Sequence, residues 1–210
     1  MTPVPTAQSA AGQLGDALAA IASALEIPVM IVAVLILLAI ALEVGRFVVE
    51  LVRRRKAVRT APLRQVAASA VADPASAGRV AETAPTGFAA QAVLEVASAA
   101  SRNDEKAAEQ ALVDYELSAQ RRLDRTRILV RTGPAVGLMG TLIPLAPGLK
   151  ALGDGQIDQL ATDLQTAFSA TVIGLLVGTV AFALTLTRTR MYTEDLSALE
   201  RAVETIGDGR

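Results

Sequence analysis

Between Gly133 and Thr187 the chain holds two long apolar stretches, GPAVGLMGTLIPLAPGL and LQTAFSATVIGLLVGTVAFALTLT, joined by a short acidic turn. Their central portions contain no Asp, Glu, Lys, Arg or His. Crossing a bilayer takes about 20 apolar residues, and uncharged runs of this kind are read as membrane helices. Each stretch also carries glycines and a threonine along one stripe. Lipid gives small and hydroxyl residues no benefit, so membrane helices keep them for packed or water-facing interfaces. The two spans are therefore expected to form an interior wall.

Composition points the same way. The 210 residues are 52% hydrophobic with a mean hydropathy of +0.43, yet only 3% are aromatic and Trp is absent. Soluble cores rely on large aromatic side chains for buried area, whereas here the apolar residues are concentrated in spans. Cysteine and histidine are both missing, which excludes disulfides, thiolate chemistry, His-based metal sites and Ser-His-Asp triads. No phosphate-loop or dinucleotide fingerprint occurs. No metal, cofactor or enzymatic activity is expected, and nucleic-acid binding is disfavoured without aromatic platforms or a known motif.

A third apolar run, Ile27 to Leu51, is uninterrupted for about 16 residues and reaches spanning length with the turn containing Glu43 and Arg46. Those two lie three apart on one face and can pair or snorkel. Pro28 suits the first turn of a helix. A cleaved signal peptide is disfavoured, because residues 1–26 hold no basic residue. The expected organisation is an extracytoplasmic segment 1–26, transmembrane helices 27–51, 128–152 and 164–187, a cytoplasmic loop 52–127, an extracytoplasmic turn 153–163, and a cytoplasmic tail 188–210. Orientation follows from the flanks. Arg53, Arg54, Arg55, Lys56 and Arg59 follow the first span, Arg121, Arg122, Arg125, Arg127 and Arg131 precede the second, and Arg188 and Arg190 follow the third. The 1–26 segment has only Asp16 and Glu26, and the turn has Asp154, Asp158 and Asp163 against Lys150. Basic flanks stay cytoplasmic, which places the N-terminus outside and the C-terminus inside.

The 52–127 loop has two textures. Residues 57–90 are rich in Ala, Ser, Pro and Gly, with Pro62, Pro74 and Pro85 as breakers, so short helices or a mobile linker are expected. From Ala89 to Arg127 no Pro or Gly occurs, and Val93, Val96, Ala100, Ala107, Leu112, Tyr115 and Leu123 fall near one helical stripe. One helix is expected there, running into the second span as a cytoplasmic extension. The basic run at its membrane end reads as a topology anchor at anionic headgroups.

In the second span Gly133, Gly137 and Thr141 recur at i, i+4 and i+8, with Gly148 seven further on. In the third, Ala167, Thr171, Gly174 and Gly178 share a face, and Ala170, Gly174 and Gly178 form a small-xxx-small ladder suited to close association between copies of the chain. Two readings of the threonines stand. They are packing groups bonded back to the preceding turn, or polar stops on an ion path. Pro144 and Pro147 likewise read as a kink, or as a source of freed carbonyls at the outer mouth of such a path.

Gly133-Pro134, Gly137-Leu138, Gly140-Thr141 and the run Ala170-Thr171-Val172-Ile173-Gly174-Leu175 resemble the MotA/TolQ/ExbB family of proton-driven motor subunits, over roughly the last 85 residues and in overall layout. The resemblance implies an all-α inner-membrane protein with three transmembrane helices, assembled as a homo-oligomeric ring, typically of five copies. The ring surrounds two single-span partner helices of the ExbD/TolR/MotB type, each supplying a transmembrane aspartate. Thr141 and Thr171 would face that aspartate, with Gly133, Gly137, Gly140, Ala170, Gly174 and Gly178 as helix-packing positions. Some members carry a glutamate five residues before the threonine of the third span. This chain has Thr166 there, a departure from the iron-uptake branch. The alternative is a structural or adaptor oligomer in the bilayer that conducts no ion.

Overall fold

Alanine, leucine and valine dominate the chain, and outside a few proline- and glycine-marked bends they wind into helix. The computed structural model describes residues 7–207, with no strand among them. Three helices are long: α1 (Ala7–Thr60), α5 (Glu105–Gly153) and α6 (Ile157–Gly207). Each is long and apolar enough to cross a membrane. Between α1 and α5 lie α2 (Leu63–Ala72), a 3₁₀ turn (Pro74–Ser76), α3 (Ala77–Ala81) and α4 (Gly87–Arg102).

The long helices exceed the apolar runs they carry. Residues 1–6 of the expected N-terminal segment lie outside the described residues, but from Ala7 onward it is helical. Pro28 consequently sits inside α1 and not in its first turn. The expected turn at 153–163 is tighter, because α6 already begins at Ile157. Gly155 takes φ +77°, a left-handed conformation that glycine adopts without steric cost. Asp158 in the first turn of α6 complements the helix dipole.

The chain divides into two units, one holding the residues up to Ala41 with Ile128–Ala181, the other Leu42–Arg127 with the residues from Phe182. In the first unit, Val29 and Ala33 of α1 are buried with Val136 of α5, and Ile36 and Ile143 pack against them. There α5 and α6 form an antiparallel hairpin.

In the second unit the Ala/Pro-rich segment folds into short helices. Pro62 stands at the N-cap of α2, Pro74 opens the 3₁₀ turn, and Pro85 lies in the bend before α4. Leu63, Val66, Ala67, Ala70, Ala77 and Ala81 are buried in one core with Val93, Tyr115, Leu123, Tyr192 and Leu199. The expected helix from Ala89 to Arg127 is divided. Asn103 takes φ 52°, and the N–H groups of Asn103 and Asp104 return to the carbonyls of Ala100 and Ala99. The Asp104 side chain then accepts from the N–H of Ala107 at 3.1 Å and caps α5. The signal is Asn103-Asp104-Glu105, a left-handed stop followed by an N-cap and an acidic first turn. From Glu105, α5 continues into the apolar span without interruption.

A buried charge network ties α1, α5 and α6 together within this second unit. Arg188 donates to Glu43 at 2.8 Å and lies 3.6 Å from Glu50. Arg54 forms a two-pronged pair with Asp195 at 3.0 and 2.5 Å. The hydroxyls of Tyr192 and Tyr115 donate to Glu50 and Asp195, each at 3.2 Å. Glu43, Glu50, Arg188 and Asp195 are all less than 8% exposed. Burial, then the Glu50 charge, pushes the Tyr192 hydroxyl up to about 12. Burial and Asp195 raise Tyr115 further, so both phenols remain donors. The Glu43–Arg46 pair expected from spacing forms at 3.0 Å. Arg188 and Arg54, read from sequence only as basic flanks that set the orientation, are also interior ion-pair partners. The spacing of Glu43, Glu50 and Arg54, and of Arg188, Tyr192 and Asp195, puts each set on one helix face.

Replacing Arg188 by Met would leave Glu43 and Glu50 buried without their shared cation. The expected cost is about 3–5 kcal/mol, read as a lower urea midpoint for the detergent-solubilised protein followed by circular dichroism. Adding Glu43→Gln to Arg188→Met should restore part of the loss. An unchanged midpoint for Arg188→Met would mean the network contributes no stability.

Candidate functional site: the small-residue seam of α5 and α6

In the first unit, α5 and α6 meet backbone to backbone. A Cβ placed on Gly174 would stand 2.5 Å from the Gly133 carbonyl oxygen and 2.7 Å from the Gly137 Cα. One on Gly133 would meet the Gly174 oxygen at 2.8 Å, and one on Gly137 would meet the Ala170 oxygen at 3.2 Å. Gly140 lies beneath the Ala170 methyl, and Gly178 lies under the ring of Pro134. All five glycines are buried. Pro134 has no N–H and so leaves the Val130 carbonyl without its helical donor. That oxygen also faces Gly178, 3.5 Å from where a Cβ would be.

Every residue singled out as a packing position is thus brought together, but within one chain. The ladder offered to neighbouring copies is occupied by the chain's own hairpin. Periodicity marks a close-packing face without identifying what packs there.

Thr141 and Thr171 are half-buried on the two sides of this seam. The Thr141 hydroxyl donates to the Leu138 carbonyl at 2.7 Å and that of Thr171 to the Ala167 carbonyl at 3.4 Å. Both protons are used inside their own helices, leaving oxygen lone pairs as the free polar surface. The Cα of Thr171 lies in the Gly137 contact, 3.5 Å from the position of a Cβ there. Pro144 and Pro147 sit within α5 and free the carbonyls of Gly140 and Ile143. No group of His, Cys, Asp or Glu side chains among the described residues is arranged to hold a metal.

Long apolar helices that meet at a backbone-close seam suit a helical membrane protein. The model of the MotA/TolQ/ExbB proton channel family matches residues 79–201, more than half of the chain, and the chain belongs to that family. The match runs from α3 through most of α6 and includes the whole seam. No similarity to a curated protein or to a solved structure accompanies it.

The seam predicts a sharp contrast between glycines. Gly174→Ala places a methyl against backbone atoms that cannot rotate away and should cost about 1–3 kcal/mol or more. Gly45→Ala in α1, with nothing within 4 Å of the new methyl, should be neutral or stabilising by about 0.5–1 kcal/mol. Thermal unfolding of the two purified variants checks this, and equal midpoints would remove the close approach as a source of stability.

Proposed function

We propose that this chain is the ring-forming subunit of an ion-motive-force-driven motor in the cytoplasmic membrane. In this reading about five copies surround a pair of single-span partner helices, and each partner helix brings an aspartate into the bilayer. The observation that carries the reading is the character of the seam. It presents threonines and small residues, and the central portions of its spans have no ionisable side chain. A protonatable group near the bilayer centre is the ordinary carrier of protons, so this chain needs one from outside itself. Thr141 and Thr171 then serve as acceptors along the path to the partner carboxylate. Neutralising that carboxylate removes the cost of a charge in low dielectric and lets the partner helices step against a smooth wall of Gly, Ala and Thr. The apolar side chains of Leu138, Leu142, Phe168, Val172 and Leu175 are exposed on the single chain, which suits contact with lipid and further copies. No covalent chemistry is involved.

The back-bonding of both threonines favours a second reading, a membrane oligomer in which they are packing groups only. Proton or sodium flux into liposomes holding the chain with its co-encoded single-span partner separates the two. Thr141→Val and Thr171→Val should abolish flux with the assembly intact by native mass spectrometry, and Ser at either site should retain part of it. Full flux through the double Val variant assigns both residues to packing, and a monomeric wild type sinks the ring.

The arginine asymmetry predicts the topology. Cysteines introduced at Arg64 and Arg201 should resist a membrane-impermeant maleimide in intact cells, whereas those at Gln13 and Gly155 should react. The reverse pattern overturns the orientation.

A further inference from the structure

The turn end of the seam holds a carboxylate that this reading does not use. Asp163 stands eleven residues before Gly174 on α6, and Gly148 eleven residues beyond Gly137 on α5. At 100° per residue, eleven positions return to the same line of a helix. The Gly148–Asp163 contact therefore continues the Gly137–Gly174 contact along one seam, about 16 Å nearer the turn. Gly148 is buried, and a Cβ there would meet the Asp163 Cβ at 3.2 Å and its Oδ2 at 3.3 Å. A methyl there would require the Asp163 side chain to give by a few tenths of an ångström.

The two oxygens of Asp163 differ. Oδ1 accepts from Gln159 Nε2 at 2.9 Å. Oδ2 is buried with no hydrogen-bond partner among the described residues. The other charged groups at this end are Lys150 on α5, Asp154 in the turn and Asp158 on α6, all exposed. None is ion-paired with Asp163 among the described residues. A buried carboxylate oxygen without a donor carries a desolvation penalty, moderated here because the Asp163 side chain is partly exposed and its Oδ1 accepts from Gln159. A proton or a small cation on Oδ2 removes it. Thr141 precedes Gly148 by seven residues and stays within about 20° of the same line, whereas Thr171, eight residues after Asp163, lies about 80° round α6 on the flank of the seam.

We propose that Asp163 is the chain's own cation-accepting site, where a proton or sodium ion is taken up on Oδ2 at the turn end of the seam before passing toward Thr141, Thr171 and the partner carboxylate. The transport role rests on the motor-subunit reading, whereas the capacity of Asp163 to bind a cation does not. Two measurements on the intact complex with its partner separate them. In liposomes, Asp163→Asn should lower flux by roughly tenfold or more while native mass spectrometry shows an unchanged assembly. Asp163→Glu should retain part of the flux, and Asp158→Asn, at an exposed neighbour, should match the wild type. Independently, an apolar carbodiimide, which attacks protonated carboxyls shielded from water, should modify Asp163 of the wild-type complex. Adduct at Asp163 is mapped by peptide mass spectrometry. Protection by alkaline pH alone identifies a proton site, and protection by added sodium identifies a sodium site. Full flux through Asp163→Asn, with flux lost in the threonine variants, overturns the transport role and leaves the motor reading intact. No adduct at Asp163 even in acidic, sodium-free buffer, or an adduct that neither alkaline pH nor sodium reduces, overturns the site itself.

Discussion

The contact of two helix backbones at Gly133, Gly137 and Gly174 is the constraint from which the rest of the membrane-capable unit follows. Lipid tails are as apolar as leucine, so no hydrophobic drive pushes membrane helices together, and close van der Waals packing must do so. Only glycine permits the separation seen here, where a single methyl would fall 2.5 Å from a carbonyl oxygen. Once Gly174 is seated against Gly133 and Gly137, the register of the hairpin is set. Gly140 falls under Ala170, Pro134 falls on Gly178, and Gly148 falls against Asp163. A turn of residues 154–156 between α5 and α6 leaves little freedom to slide.

The second unit is held by different chemistry. Its short helices bury alanines and valines much as a soluble domain does, around the rings of Phe88, Tyr115 and Tyr192. Within that core sit Glu43, Glu50 and Asp195 against Arg54 and Arg188, with Arg46 at the exposed edge of Glu43. Buried ion pairs contribute little net stability compared with apolar residues of similar volume, but an unpaired member is costly. The cost falls on every register of α1 against α6 except the one that pairs all of them. Seven-residue spacing on both helices makes a slip of one position turn Glu43 and Glu50 away from Arg188 and Asp195 together.

Much of this was legible in the sequence, and the misses share a cause. The three spans, the glycine and threonine stripes and the proline-bounded short helices follow from local periodicity and turn chemistry. What periodicity cannot give is the identity of the partner face. The Ala170-Gly174-Gly178 ladder reads identically whether it meets another copy or, as here, its own α5. The ion pairs of Arg188 and Arg54 went unread because the chain segments of their partners lie far away in sequence, 145 residues for Glu43 and 141 for Asp195. The break at Asn103 was locally encoded but lacked the Pro or Gly that usually announces one, and Asn adopts the left-handed conformation in their place. Pro28 was a boundary by propensity, yet a long apolar helix absorbs it.

The hydroxyl geometry bears on what such a seam can do. Each threonine has donated its proton to its own helix, and what it presents outward is an acceptor. An acceptor beside a path stabilises a protonated carboxyl, a hydrated proton or a sodium ion, and it offers nothing to a bare carboxylate. In the proposed arrangement, a seam lined this way would match the neutralised state of an aspartate brought by a partner and not its charged state. The energetic contrast between those two states, and not tight binding of either, is what can convert ion arrival into helix movement. Asp163 fits the same logic from the other end. Its Oδ2 and the outward lone pairs of the threonines are all acceptors, so an arriving cation is the species that both ends of the seam can receive.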